Sequence, residues 1–520
     1  MRREIVAVVV SGLVLGGVTA IPAVAAVRGA DKAVGSIKAQ PASHVKAKLV
    51  NAWTAKVPTS EEKKTTALKT VIYHGYEFRV PASWPVYRLD EHPTSCLRYD
   101  INAVYLGTPG ANMHCPATVI GRTQTITVIP GVIVAAGSGA EITYLRDQPD
   151  GVGGTRVGSL AAVHSTIIQN ASQHELRVAI GAALLGVTVL GTYGAEPAVT
   201  EQVLHTLRSA PKGAADTAQS GSSSALSGAS ASVVTQGAAT GSPTGSPAGS
   251  PAEVSAGSPA EASAASRPSS TSWPGLHDWP RQIIGQPTPF RAVNGFDTCN
   301  APSLDAMRAW RRDYAVTGVY IGGENMGCYY GNLSASWLRS ARGMGWGVLP
   351  IYVGDQAPCT TVQSPITTIN PSRAAAEGTA AGWDAVSDAR QFGIGTGSPI
   401  FYDMESYNTT YDSDCKAAVL TFLGAWDRAV SAAGYQTGVY SSRDSGIEDL
   451  QTATLAKTPG FTAPEGIWDA HWDGIRSLGD GLTAWPLADR IKQYAGNINQ
   501  TIGGYQLQID RDLVGGPIAQ

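Results

Sequence analysis

From about residue 290 to the C-terminus, short apolar strand-like runs alternate with helical patterns, and this alternation restricts the fold more than any other feature of the chain. "VNGFDT" precedes "SLDAMRAWRRDY", "TGVYIGG" precedes "SASWLRSARGMG", and "WGVLPIYVG" precedes "PSRAAAEGTAAGWDAVSDARQFG". "PIFYDMES" leads to "DCKAAVLTFLGAWDRAVSAAG", and "QTGVYSS" to the shorter "IEDLQTATLA". Three further strands, "GIWDAHWD", "RIKQYAG" and "GYQLQIDRD", follow with little helix between them. Strands joined through helices lie parallel with right-handed crossovers, so the region is expected to close into an α/β TIM-like barrel of five β/α units plus three strands.

The chain has 520 residues, more than one domain's usual share, and its composition divides it. Residues 211–272 are almost wholly Ala, Gly, Ser, Pro and Thr, with near-repeats in "GSPTGSPAGSPAEVSAGSPAEA". Nothing there can build a core, and a disordered linker with an r.m.s. span of roughly 45 Å is expected. The barrel is assigned to 273–520. Residues 66–210 hold candidate strands such as "KTVIYHGYEFRVP", "TQTITVIP" and "ELRVAIGAALLGVTVLGTYG", then a helix in "EPAVTEQVLHTLRSA", and read as a small α+β domain. Its apolar run from Val178 to Gly191 is too short to span a bilayer and reads as a buried hairpin. No nucleophile motif, phosphate loop or convergent acids mark this domain, so its role and partner stay open.

At the N-terminus, Arg2 and Arg3 precede an uncharged stretch from Ile5 to Val27 that contains Ala23-Val24-Ala25. Residues 1–26 read as a signal peptide; Gly16, Gly17 and Pro22 favour cleavage over an uncleaved anchor, and the export route is left open. Residues 27–65 are polar and Lys-rich, and are expected to be poorly ordered. The implied protein is secreted and free of a membrane span after cleavage. A net charge of −3 argues against a nucleic-acid partner.

In an exported chain the even count of six cysteines points to disulfides. If pairs stay within domains, Cys96 joins Cys115. Three arrangements then remain for the other four: Cys299 and Cys328 follow the first two barrel strands, and Cys359 and Cys415 the third and fourth, so bridges between neighbouring loops are one of them. His92, Cys96, His114 and Cys115 are the right types for zinc, but their spacing fits no familiar zinc module, and no metal or other cofactor is expected.

Within "PIFYDMESY" two acids stand where a core strand would carry valine. Side chains alternate along a strand, so Asp403 and Glu405 share one face while Ile400, Tyr402 and Met404 take the other, toward the helices. In a barrel the acids then line the mouth at the strands' C-terminal ends, where such folds place their chemistry. Asp297 ends the first strand, and Asp510, with Gln508 on its face, lies near the end of the last. Carboxylates so gathered keep one another protonated, as glycosidic-bond cleavage requires: one carboxylic acid protonates the leaving oxygen while others stabilise the oxocarbenium-like centre or activate water.

"GFDTC", the D-x-E of "FYDMES", "GVYSS", "WDAHW", "KQYAG" and "QIDRD" occur in an order that resembles the glycoside-hydrolase-like domain of secreted actinobacterial proteins, long filed as a domain of unknown function. That domain is similar to the family-25 glycoside hydrolases, lysozymes built on five β/α units followed by three strands. The resemblance covers none of the N-terminal half. It implies Glu405 as proton donor, Asp403, Asp297 and Asp510 as its acidic partners, and the peptidoglycan glycan strand, cut at N-acetylmuramyl bonds, as substrate. Retaining, inverting and acetamido-assisted routes are all compatible with the spacing.

Tyr320, Tyr352, Trp472 and Tyr494 lie in or just after strand ends, where aromatic faces suit sugar rings, and Gln493 could hydrogen-bond hydroxyls. The competing functional class is a non-catalytic wall-binding or scaffold protein that keeps the cleft without turnover. A third reading makes the N-terminal domain the partner-binding unit and the barrel its anchor. Clustered carboxylates also bind calcium, but the D-x-D-x-D-G loop spacing is missing.

Overall fold

A computed structural model describes residues 67–131, 168–170, 174–180, 186–220, 291–410 and 413–519. The expected signal peptide, the polar segment after it and residues 221–272 of the expected linker lie outside the described residues. No helix among the described residues is long and apolar enough to cross a membrane.

The N-terminal part runs β1 (Leu68–Tyr73), β2 (Tyr76–Pro81), β3 (Val86–Arg88), β4 (Ala103–Leu106), β5 (Thr125–Pro130), β6 (Ile168–Asn170), β7 (Glu175–Ile180), β8 (Val187–Thr192), α1 (Ala198–His205) and β9 (Arg208–Ser209). β1, β2 and β9 form one sheet and the others a second, in the order β3-β4-β5-β8-β7-β6. Alternation in "VIY" and "FRV" buries Val71, Tyr73, Phe78 and Val80, which pack with Val128 and Leu204 in a common core. The apolar run read as a hairpin is the antiparallel pair β7 and β8, with Ile180 opposite Val187.

Residues 211–220 depart from the expected linker. Thr217 N donates to Ile72 O at 2.8 Å, Ile72 N donates back to the Thr217 hydroxyl at 2.8 Å, and Ser220 N donates to Val86 O at 2.8 Å. Their composition reads as linker, but their backbone groups are claimed by β1 and β3.

The C-terminal part runs β10 (Val293–Asp297), α2 (Leu304–Trp310), β11 (Val316–Gly322), α3 (Ala335–Gly343), β12 (Gly347–Tyr352), α4 (Ala374–Gln391), β13 (Pro399–Met404), α5 (Ser413–Ala432), β14 (Gln436–Ser442), α6 (Glu448–Leu455), β15 (Gly466–Ala470), β16 (Arg490–Ile502) and β17 (Tyr505–Val514). Strands β10 to β17 close into an eight-stranded barrel. β10 to β16 run parallel; β17 runs antiparallel to both β16 and β10, because the pair Gly503-Gly504, both at positive φ, turns the chain straight back. Ser303 and Ser334 cap α2 and α3, accepting from Ala306 N and Trp337 N.

The cysteines form Cys96–Cys115, Cys299–Cys328 and Cys359–Cys415. The first removes two of the four residues considered as zinc ligands; the others tie together loops above neighbouring barrel strands.

The two parts are docked rather than separate. Tyr99 N donates to Gly327 O at 2.8 Å, Gly327 N to Val119 O at 3.1 Å, Gly121 N to Asn325 O at 2.8 Å and Arg122 N to Pro365 O at 2.9 Å. Leu97, Tyr99, Val119 and Ile120 belong to the same core cluster as Met326 and the barrel interior. A Cβ on Gly121 would stand 2.6 Å from Pro365 O, so only glycine admits this approach.

The longest helices, α4 and α5, are drawn together by a missing side chain. A Cβ on Gly378 would meet Phe422 O at 2.2 Å, and one on Gly382 would meet the Ala429 methyl at 2.7 Å. Gly378→Ala is therefore expected to lower stability by about 1–3 kcal/mol through overpacking, despite alanine's better helix propensity. Thermal unfolding checks this, and an unchanged or raised Tm would show that the helices separate without cost.

Candidate active site

Strand alternation in β13 sorts its side chains into two environments. Tyr402 points outward, its ring centroid 5.3 Å from Phe422 and 5.4 Å from Trp426 of α5. Phe401 points inward, against Trp468 of β15 at 5.6 Å. Asp403 follows Phe401 into the barrel, and Glu405 lies on the same side just past the strand end. Buried Gln356 fixes the backbone there: its Nε2 donates to Asp403 O at 2.8 Å, and its Oε1 accepts from Glu405 N at 2.8 Å. Sequence reasoning passed over Gln356, whose role is to hold peptide groups and leaves no spacing signature.

On the opposite wall, Asp297 of β10 stands directly across from Asp510 of β17 in antiparallel register, which puts both on one face. Gln493 Nε2 donates to Asp297 Oδ2 at 2.9 Å, and Gln493 Oε1 accepts from Tyr440 at 3.1 Å and from Trp472 Nε1 at 2.7 Å. Asp510 Oδ1 accepts from Asn497 N at 2.6 Å. A fifth acid, Asp512, hydrogen-bonds Asp297 and accepts from Trp468 Nε1 at 2.9 Å. Its signal was available, since in "QIDRD" the residue two past Asp510 must share that face.

Burial decides the electrostatics. Asp297, Asp403 and Asp510 are each 2% exposed and Asp512 is fully buried, whereas Glu405 is half-buried. Loss of water raises all five carboxyls above the usual range. Asp403 is held far up by burial, then by the charge of Glu405 and their shared hydrogen bond; its Oδ1 has no partner. Glu405 is pushed up to about 7 by burial and the charge of Asp510, while bonds from Asp403 and the Ser406 backbone oppose the rise. The pair thus keeps a proton on Asp403, directed at Glu405, and Glu405 itself titrates near neutrality. Burial, then the charges of Asp512 and Asp510, keeps Asp297 protonated, and burial does the same for Asp512. Asp510 rises only to about 6, because Asn497 and Thr118 donate to it.

Of the five residues expected to touch sugar, three reach this mouth. Tyr320 is buried among the charges of Asp403, Asp297 and Asp510. Gln493 bridges Asp297 to Tyr440 and Trp472. Trp472 is 43% exposed, its ring lying over Gly496, where a Cβ would come within 2.0 Å of it. Two do not. Tyr352 faces the helices and donates to Asp384 of α4 at 2.8 Å, because its neighbour Ile351 takes the inward side. Tyr494 alternates with inward Gln493 and lies by Arg511 and Arg476 on the outer face.

Among the described residues, one other group has metal-ligand types: Asp469, His471 and Asp480 bring ligand atoms within 4.8 Å of one another. Arg443 pairs with Asp469 and, at 2.6 Å, with Asp480, and Lys492 stands 3.5 Å from Asp480. Side-chain cations already occupy the place a metal would take.

Residues 308–514 match the family described as the Rv2525c-like, glycoside hydrolase-like domain. The span begins after β10, so it includes Asp403, Glu405 and Asp510 but not Asp297. No curated protein matches the chain. Among solved structures, an uncharacterized B. stearothermophilus protein is 18% identical over 43% of this chain and 95% of its own, with a TM-score of 0.31. The Mycobacterium tuberculosis Tat-secreted protein Rv2525c is 16% identical over 43% and 94%, with a TM-score of 0.30. The modular autolysin LytC from Streptococcus pneumoniae, solved in complex with a synthetic peptidoglycan ligand, is 13% identical over 43% and 46%, with a TM-score of 0.29. The C-terminal half of this chain thus carries an Rv2525c-like, glycoside hydrolase-like domain.

Proposed function

We propose that this protein is an exported glycoside hydrolase that cleaves cell-wall glycan, as a lysozyme-like muramidase acting on peptidoglycan, with Glu405 as general acid. One observation carries the reading. Glu405 is the half-exposed member of a buried carboxyl cluster, and it titrates at about 7 against a neutral Asp403 behind it. Such a group is protonated at working pH yet can deliver its proton outward to a leaving oxygen. Asp510, which loses its proton at about 6, supplies the negative charge that an oxocarbenium-like centre needs, with Asp297 across the strand pair as its neutral partner. Trp472 offers an exposed ring face for a sugar, and Gln493 and Tyr320 line the approach.

On this reading the barrel is the TIM-like form of five β/α units and three closing strands, with its chemistry at the C-terminal strand ends. Three disulfides accord with an oxidising, extracellular setting.

The test is release of new reducing ends from purified peptidoglycan by the full chain. Glu405→Gln is expected to lower the rate by ~10²–10⁴-fold, the usual contribution of a positioned acid, while peptidoglycan pull-down is retained. A wild-type chain that binds but releases nothing, or an unimpaired Glu405→Gln variant, would sink the enzyme reading.

The pH profile follows from the same groups. Glu405 must hold its proton, so activity falls as pH rises through about 7; Asp510 must be ionised, so activity falls as pH drops through about 6. A narrow bell between these limits is expected in the rate of reducing-end release, and a profile still rising well above neutrality would contradict the assignment of Glu405.

A further inference from the structure

The N-terminal half reaches into the acid cluster. The segment after Cys115 crosses the barrel mouth with Ala117, Val119 and Ile120 buried and Thr118 half-buried. Its backbone is pinned on the barrel loops by the bonds from Gly327 N to Val119 O and from Gly121 N to Asn325 O. This leaves the Thr118 hydroxyl between two mouth residues: the Tyr320 hydroxyl donates to Thr118 Oγ1 at 3.2 Å, and Thr118 Oγ1 donates to Asp510 Oδ2 at 3.3 Å. The direction matters. A hydroxyl has one proton, and with Tyr320 donating into its lone pair, the Thr118 proton is free to point at Asp510.

We infer that Thr118 is a positioning residue of the barrel site, contributed by the N-terminal half, which fixes Asp510 and keeps it anionic while Glu405 carries the proton. The inference rests on the roles proposed above for Asp510 and Glu405. It makes the site composite, complete only when the two halves are docked.

Loss of water pushes Asp510 toward neutrality, and its charge acts in turn on the titratable groups that face it. That charge raises Glu405 at the end of β13, Asp297 on β10 and Asp512 on its own strand, and the hydroxyls of Tyr320 on β11 and Tyr440 on β14 sense it. Against that loss of water stand two donors to Asp510, Asn497 N and Thr118. Removing one should let the proton return, whereas a threonine that merely fills space could be replaced by its isostere.

Thr118→Val and Thr118→Ser in the full chain separate these cases. The valine variant is expected to keep the wild-type Tm but to move the acid limb of the pH–rate profile up by roughly one pH unit, with the rate at about pH 5 falling roughly tenfold. The serine variant should return the limb to its place. In parallel, the ¹³C-carboxyl resonance of Asp510, assigned by its loss in Asp510→Asn, should titrate at higher pH in the valine variant alone. A limb and a resonance unmoved by Thr118→Val would overturn the inference. If the wild-type chain releases no reducing ends, the hydrolase reading fails, and the Asp510 titration still decides the role of Thr118.

Discussion

Carboxyl groups cannot all ionise in a space that excludes water, and the architecture of this protein turns on how that conflict is settled. Asp297, Asp403, Glu405, Asp510 and Asp512 meet at one end of the barrel, four of them essentially removed from solvent. Burying a lone carboxylate costs several kcal/mol, so the group takes up a proton instead unless donors surround it. Both solutions are used. Asp403 keeps its proton and shares it with Glu405, and Asp297 and Asp512 share a hydrogen bond, whereas Asp510 is supplied with a backbone N–H and a hydroxyl. The outcome is a graded set of acids made from one residue chemistry by differences in neighbours alone.

Holding that gradation requires rigid walls. Gln356 bonds peptide groups on both sides of the Asp403–Glu405 pair, and the indoles of Trp468 and Trp472 each spend their single donor on the cluster or on the glutamine beside it. Gln356, Gln493 and Trp468 are buried, so local opening of the mouth would have to break several bonds at once.

Much of this was legible in the sequence where a short-range rule governs. The β/α alternation announced the barrel, and period-two alternation put Asp403 of β13 and Glu405, just past its end, on a common side. The same rule, applied at Tyr352 and Tyr494, would have turned both away. Ile351 and Gln493 are their immediate neighbours, and adjacent strand residues cannot both face in. Asp512 was readable in the same manner. Gln356 and Thr118 were not, because they act across long sequence separations, Thr118 from another part of the chain altogether. Composition misplaced the linker boundary for a related reason: a small polar residue such as Thr217 or Ser220 serves equally well as tether or as edge-strand partner, and only the free backbone groups of β1 and β3 decide between them.

The disulfides connect these levels in a way their spacing does not disclose. Cys96–Cys115 closes the loop from which the 116–122 segment departs, and Cys299–Cys328 fastens the barrel loop that receives it, with Arg98 paired to Cys328 itself as a bridge. All four half-cystines belong to the core cluster that spans both parts of the molecule. A crosslink stabilises chiefly by restricting the conformations a loop would otherwise explore. Here the two restricted loops are the opposing faces of the docking surface, so the entropy removed is that of assembling the mouth as well as that of folding either part. The bonds that make the chain suited to an oxidising setting are thereby the same ones that hold a threonine of the N-terminal half within reach of a carboxylate in the barrel.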